Sequence, residues 1–343
     1  MGGELEFRGD HLLDSLAIPP RIVAALKKAG LAHIRCVLTH SASDLARKTG
    51  LSRREIDNVL VLLSKTALPR GGTPSTALEL HREQSKRANQ GRLTTGCHVI
   101  DSHLCGGLLV QGITEIAGIS AAGKTQLCLQ LCLTVQLPLD AGGLAGGAVY
   151  VCTEDAFPNK RLLQLSNSFA RKYSHIGLTA NHLTDSIYIE HAATISTLSV
   201  LLKFKLPVLL AEKCIRLVVI DSLAALFRVE FTHEQISQRA QLLQAFGAQL
   251  HGFADQYGVA VVCVNQVTSE VGGGVKPSLG LAWSNMVTTR LIVQRDETLH
   301  DSEIMQEDAI PSVRSLRVAF APHLPPTSIN YYITQDGIHG HQT

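Results

Sequence analysis

The spacing of apolar residues changes along this chain. Up to about residue 66 they recur at helical intervals, in short blocks divided by Gly and Pro. Pro20 stands in the first turn of PPRIVAALKKAG and Gly30 at its stop, the asymmetry expected of a helix. SASDLARKTGLSRREIDNVLVLL follows as two helices around a turn at Gly50. Ser43 and Ser52 are their predicted N-caps, and Ser52 with Glu55 predicts a capping box. From about residue 91 the apolar residues gather in short continuous runs. These predict strands at 113–117, 147–152, 187–190, 217–221, 259–264, 287–293, 313–320 and 329–333. Runs without polar alternation fit strands buried on both faces. Helical stretches separate most of them. The stretch 239–256 places Leu242, Leu243, Phe246, Leu250 and Phe253 on one side, as a helix covering a sheet would. Such alternation predicts an α/β fold with a mostly parallel central sheet. The last strands follow one another without helices and predict an antiparallel edge. Residues 67–90 fit neither pattern: Pro, Gly and Thr come first, then a polar helical stretch, which reads as a linker. The expected organisation is a small all-α, helix-hairpin-helix-like domain over 1–66, a linker over 67–90 and an α/β core over 91–343.

Composition changes this picture little. A length of 343 residues allows two domains, and 45% hydrophobic content supplies a large core. No uninterrupted apolar run reaches the roughly 18 residues of a membrane span, so no membrane partner is expected. The opening MGGELEFRGDHLL carries acids and lacks the basic and apolar regions of a secretory signal. Gly2 is followed at the decisive position by Glu6, where N-myristoylation needs Ser or Thr. The eight cysteines form no CxxC pair, which argues against zinc. Cys128, Cys132, Cys152 and Cys263 sit in apolar runs and read as small core residues of a reduced, intracellular protein. The histidines show no ligand spacing. Trp283 reads as core or interface, and the acidic stretch 295–312 as a loop.

Net charge is +2, yet residues 1–90 hold 14 basic against 9 acidic side chains, and the remainder 17 against 20. Lys48, Arg53 and Arg54 flank the Gly50 turn, where DNA phosphates would approach a helix-hairpin-helix. A helical bundle used only for packing would show the same residues, and both readings stay open.

Candidate chemistry concentrates in EIAGISAAGKTQL. Gly118-Ile119-Ser120-Ala121-Ala122-Gly123-Lys124-Thr125 matches the P-loop pattern in full, with a predicted strand before it and a predicted helix, 124–137, after it. Glycines let backbone amides converge on the α- and β-phosphates, and the helix N-terminus favours their charge. Lys124 would neutralise β/γ oxygens, the Thr125 hydroxyl would bind Mg²⁺, and Gln126 continues the first helical turn. Asp221, at the tip of LVVID, is the matching Mg²⁺ carboxylate, acting partly through water, with Ser222 as its support or a cap. ATP and Mg²⁺ are therefore the expected cofactors. Two other strand tips carry polar groups. Thr153-Glu154-Asp155 offers a carboxylate for orienting water, or a helix N-cap. Asn265-Gln266 offers an amide for the γ-phosphate. Neither role follows from a lone residue.

These motifs, with LTTGCHVIDSHLCGGLLVQGITEIAG, VYVCTEDAFPNKRL, LVVIDSLAALFR, VAVVCVNQV and LAWSNMVTTRL, occur in an order and spacing that resembles the RecA-type recombinase family in its eukaryotic branch. The resemblance spans nearly the whole chain and is to a recombinase paralogue more than to a main strand-exchange protein. It implies a RecA-like P-loop ATPase core and a weak, DNA-stimulated ATPase. Glu154 would polarise the attacking water. Gln266 would couple the γ-phosphate to a DNA-binding loop. Lys276 and Pro277 would cap the nucleotide of a neighbouring subunit. It further implies a nuclear protein, with a cytoplasmic pool allowed, acting in homologous-recombination repair. Its partners would be another recombinase paralogue, the main recombinase filament, and single-stranded or branched DNA.

The chain departs from that family in two places. Pro74-Ser75-Thr76-Ala77 stands where active recombinases carry Phe-x-x-Ala: Ala77 is kept and the aromatic anchor is lost. Losing such an anchor removes about 2 kcal/mol or more, so a defined heteromer is expected in place of a self-polymer. The first DNA loop, VEFTHEQISQRA, follows Arg228 and ends at Arg239, with Glu230 and Glu234 between them. The second, VTSEVGGGV, has no aromatic. Each missing base stack costs roughly 1–3 kcal/mol, so DNA binding is expected to be weak or shared. Three functions compete: an ATP-binding mediator, a self-assembling strand-exchange recombinase, and a structural adaptor with a vestigial site. The intact Lys124, Thr125, Glu154 and Asp221 argue against the last.

Overall fold

The computed structural model describes residues 13–16, 18–67, 76–79, 91–154, 156–229, 231, 235–269, 275–295 and 312–341. The chain divides into two compact units, Met1–Lys86 and Arg87–Thr343.

The first unit is helical: α1 (Pro20–Lys28), α2 (Ile34–Leu38), α3 (Ala42–Thr49) and α4 (Arg53–Ala67). Leu26, Ile34, Val37, Leu45, Ile56 and Leu63 close its small core. The N-cap of α3 is Ser41, not Ser43: the Asp44 amide donates to Ser41 Oγ at 3.1 Å, and Ser43 lies exposed at the second position of the helix. Gly50 ends α3 in the left-handed region, φ 68°. The capping box forms as its spacing predicts. The Ser52 amide donates to Glu55 Oε2 at 2.9 Å and the Glu55 amide to Ser52 Oγ at 3.4 Å. Within the linker a second such box joins Thr76 and Glu79, and residues 77–79 are helical. Pro74, Ser75 and residues 296–311 lie outside the described residues.

The second unit is built on a ten-stranded sheet. A separate ribbon pairs β1 (Arg92–Leu93) with β2 (Leu108–Leu109). The large sheet contains β3 (Ile113–Gly118), β4 (Gly147–Cys152), β5 (Ile187–His191), β6 (Ile215–Asp221), β7 (Ala260–Ser269) and β8 (Val275–Pro277). It also contains β9 (Thr289–Arg295), β10 (Arg314–Phe320), β11 (Ser328–Thr334) and β12 (Gly337–Gly340). Its order is β12-β11-β10-β9-β3-β7-β6-β4-β5, with β8 paired to β7. From β9 to β5 the pairs are parallel; β9 to β12 form the antiparallel edge. All eight predicted strands are present. The short β1, β2, β8 and β12 carry too few residues for a readable period. β7 overruns its predicted end at 264 and reaches Ser269, because β8 returns alongside it.

Alternate side chains of β4 feed two cores. Ala148, Tyr150 and Cys152 face one helical layer, Val149 and Val151 the other. The first layer includes α5 (Lys124–Thr134), in which every residue from Leu127 to Thr134 is buried, and α6 (Asn159–Lys172). Helix α5 stops at Thr134, short of the predicted 137, where the chain folds back so that the Leu144 amide bonds the Val135 carbonyl at 2.9 Å. The second layer includes α8 (Ile236–Tyr257), which buries Leu243, Phe246, Leu250 and Phe253 as predicted. Helix α7 (Leu223–Val229) follows β6, and α9 (Gly280–Ser284) follows β8.

Glu115 lies fully buried in β3. Its carboxylate accepts from Asn265 Nδ2 at 2.6 Å, from Trp283 Nε1 at 2.8 Å and from Arg290 Nε. Arg290 also covers the Phe320 ring, 4.9 Å from its centroid. Trp283 is thus core, with its indole N–H satisfied. Removing one partner of a buried pair strands the other charge, which costs about 3–5 kcal/mol. Glu115→Ala is expected to lose that much stability in urea unfolding, and Trp283→Phe markedly less.

Candidate nucleotide-binding site

The parallel register brings four strand tips abreast. Gly118 on β3 lies opposite Gln266 on β7, and Asp221 on β6 opposite Cys152 on β4. Ligands of open α/β sheets bind outside such carboxyl ends. Here the tips border a cleft of about 770 Å³, lined by the loop after β3, Tyr150, Glu154, Asp221, Ser222, Gln266, Arg314 and Ile333.

The two glycines of the loop serve different ends. A Cβ on Gly118 would stand 2.2 Å from the Val293 carbonyl oxygen, so this glycine is required by the contact between strands. Gly123 has φ +105°, and a Cβ there would meet Ile333 Cδ1 at 2.8 Å. Ala121 is also left-handed, φ 59°. That conformation costs a non-glycine residue about 1–2 kcal/mol. Left-handed residues in a tight turn gather successive N–H groups into an anion-binding hollow. The loop is braced from below, where the Tyr331 hydroxyl donates to the Ala122 carbonyl at 2.9 Å.

Lys124 curls over this loop, its Nζ donating to the carbonyls of Gly118 at 2.8 Å and Ile119 at 2.7 Å. Burial lowers its pKa, and the negative charge of Asp221 opposes that shift. Thr125 Oγ1 and the Tyr150 hydroxyl donate to the same oxygen, Asp221 Oδ2, at 2.7 and 2.5 Å. Burial raises the Tyr150 pKa well above its ordinary value, and nearby Cys128 and Asp221 raise it further, so the phenol stays a neutral donor. The Cys152 thiol, pushed up to about 11 by burial and then by Asp221, stays protonated at neutral pH.

The tips of β4 and β6 are fastened by Thr153. Its Oγ1 donates to the Ser222 carbonyl at 2.7 Å and accepts from the Ser222 amide at 2.8 Å. Glu154 beside it accepts from Ser222 Oγ at 3.4 Å and from Gln266 Nε2 at 3.2 Å. Gln126 lines the cleft and accepts from Arg161 Nε at 2.7 Å; Arg161 also donates to the Thr334 and Gln335 carbonyls.

The structure therefore joins Gly118–Ala121, Gly123–Gln126, Glu154, Asp221 and Gln266 in one cleft, with Ala122 fully buried beneath the loop. Other predicted contacts lie elsewhere. Arg239 is half-buried and donates to the Phe227 and Ser278 carbonyls at 3.3 and 3.4 Å. Arg228 is exposed but donates to Gln266 Oε1. In the first unit Lys48 Nζ meets His40 Nε2 at 2.7 Å, Arg53 pairs with Asp57 at 3.2 Å, and Arg54 is exposed. The second loop begins later than predicted, because Val267–Ser269 and Val275–Pro277 form a hairpin stem. Lys276 and Pro277 sit on that stem, and among the described residues they do not line the cleft. Ala77 is exposed in this chain. Asp155, Glu230 and Glu234 lie outside the described residues.

Sequence reasoning missed Tyr150, Arg314 and Tyr331. Tyr150 left one trace, a hydroxyl inside the otherwise apolar GAVYVC. The other two reach the loop from strands about 200 residues away along the chain, so no local pattern marks them.

A hydroxyl and a carboxylate 2.7 Å apart, beside a left-handed glycine turn and its lysine, fit a phosphate chain with its divalent cation. Fold and cleft together define a RecA-like P-loop protein. Residues 86–341 match the family model described as Rad51, and the chain belongs to that family. It is 45% identical to DNA repair protein XRCC3 of Bos taurus, over 96% of this chain and 97% of that protein. It is 41% identical to DNA repair protein XRCC3 of Mus musculus over the same shares. With the DNA repair protein XRCC3 homolog of Arabidopsis thaliana it shares 34%, over 72% of this chain and 92% of that one.

Tyr150→Phe deletes one hydrogen bond to a charged group, worth about 1.5 kcal/mol or roughly tenfold. The Mg²⁺ concentration for half-maximal binding of a fluorescent ATP analogue is expected to rise by that factor. Binding in EDTA should stay as it was.

Proposed function

We propose that this chain is an ATP-binding recombinase paralogue that serves as a mediator in homologous-recombination repair of double-strand breaks and stalled forks. It works in the nucleus, within a heteromeric complex with another paralogue. It acts on the main recombinase filament and on single-stranded or branched DNA. The single observation that carries this reading is the complete nucleotide cleft: Lys124, Thr125, Asp221 and Glu154 converge from three strand tips. The DNA-repair names of its relatives support the setting.

In this reading the turn from Gly118 to Gly123 holds the phosphates, and Lys124 exchanges its loop carbonyls for phosphate oxygens. Thr125 and Asp221 are the groups that would hold Mg²⁺, which when bound neutralises charge between the terminal phosphates. Tyr150 keeps Asp221 oriented. Glu154 stands where a carboxylate would take a proton from the attacking water, and Gln266 reaches the same space. Turnover is weak and stimulated by DNA. The nuclear setting rests on the family alone. The heteromeric state rests on Pro74, which withholds the aromatic anchor that self-polymerisation uses.

Lys124→Ala is expected to weaken binding of a fluorescent ATP analogue by roughly 10- to 100-fold, the loss of charge-assisted hydrogen bonds worth about 1.5–3 kcal/mol. Glu154→Gln should retain binding and lose hydrolysis. On size-exclusion with ATP and single-stranded DNA, the isolated chain is expected to stay a small, defined species. A helical filament under those conditions would favour the strand-exchange recombinase and sink the mediator reading.

A further inference from the structure

The sheet order gives the cleft two flanks. On one side of β3 lie β7, β6 and β4, which bring Gln266, Asp221 and, just beyond β4, Glu154. On the other side lie β9, β10 and β11. Strand β10 runs antiparallel to β9, so its first residue, Arg314, arrives at the edge where β3 ends. There it lines the cleft together with Ile333 of β11. A Cβ on Gly123 would stand 3.5 Å from Arg314 Cδ, so the arginine leans against the glycine loop itself.

Nothing near Arg314 neutralises it. The residue is half-buried, and its Nε is buried with no hydrogen-bond partner among the described residues. Its Nη1 donates to the Ser312 carbonyl at 2.8 Å. Directly opposite on β9 stands a second cation, Arg295, and opposite on β11 stands Tyr331, whose hydroxyl is already committed to the Ala122 carbonyl. Like charges set opposite one another on neighbouring strands repel. Burial lowers the pKa of Arg314 and the charge of Arg295 lowers it further, with no carboxylate among the described residues opposing them. The other cations of this region are provided for: Lys124 lies in the field of Asp221, and Arg290 faces the carboxylate of Glu115. A guanidinium drawn out of water without an anion is costly to keep. An anion in the cleft would complete it, and paired phosphate oxygens match its planar fork.

The flank decides which phosphate. Thr125, Asp221 and Glu154 mark the end of the site fit for the cation and the terminal phosphate. Arg314 comes from the opposite side of β3, where the chain of phosphates continues towards the nucleoside.

We propose that Arg314 is a binding residue for the α-phosphate of the nucleotide, the fixed counter-charge at the nucleoside end of the cleft. This rests on the reading of the cleft as an ATP site. In this position Arg314 serves ATP and ADP alike and acts without the divalent cation. It also burdens the chain without nucleotide, because its charge then has no partner.

The test uses the full chain, fluorescent ATP and ADP analogues, and Arg314→Met, which removes the charge and keeps an unbranched stem. Its affinity is expected to fall by the same factor for both nucleotides, roughly 10- to 100-fold, in Mg²⁺ and in EDTA alike. Arg314→Lys, which keeps the charge and loses the fork, should recover part of that loss. Thermal unfolding without nucleotide supplies the second readout: Arg314→Met should melt at or above the wild-type temperature. Unchanged affinity overturns the proposal. So does a loss confined to ATP or to Mg²⁺, which would place Arg314 at the terminal phosphate. A lower melting temperature for Arg314→Met without nucleotide also overturns it, since the arginine would then serve the fold through Ser312. If wild type binds neither analogue, the ATP reading itself fails; wild-type binding that Arg314→Met leaves intact refutes only the role of Arg314.

Discussion

The parallel register of β3, β7, β6 and β4 is the constraint on which this molecule depends. It sets Gly118 beside Gln266 and Asp221 beside Cys152, so that groups about 150 residues apart share one cleft. A shift of one residue in any of these pairings would turn each side chain to the opposite layer and empty the site. The register is secured from inside the sheet. Buried Glu115 is bonded from β7 by Asn265, from β9 by Arg290 and from α9 by Trp283. An ion pair so deep is costly to desolvate, and the bonds that offset this cost tie β3 to β7, β9 and α9.

Above that frame, the site is arranged around negative charge still to be neutralised. Asp221 receives hydroxyls from Thr125 and Tyr150 on a single oxygen, while Lys124 occupies itself with its own loop carbonyls. Each of these bonds is exchangeable for one to a phosphate or a cation, so the groups are held close to their working positions before any ligand arrives. Tyr150 is the exception. Buried within β4, its ring packs edge-on against Phe157, 5.0 Å between centroids, and its hydroxyl stays on the Asp221 carboxylate.

The order of strands and helices was readable because it depends on the period of apolar residues. All eight long strands, the buried helix after the glycine loop and the amphipathic helix near 239–256 follow from that period. The glycine loop, Lys124, Thr125 and Asp221 were readable because phosphate chemistry demands those residue types at that spacing. The polar groups on other strand tips were legible as candidates only. Glu154 and Gln266 acquire meaning from each other and from Ser222, none of them near neighbours along the chain. The misplaced cap at Ser43 shows the same limit at short range. Two serines stand two residues apart, and only the hydrogen bond from Asp44 decides between them.

By itself, then, the amino-acid order determined the period of each element and the P-loop spacing from Gly118 to Thr125, since both are local. Tertiary structure alone decided which tips face one another, that Arg239 is spent on backbone carbonyls, and that Arg228 reaches Gln266. The reason is that a hydrogen bond between distant segments depends on sheet register and side-chain reach, and neither leaves a pattern in neighbouring residues.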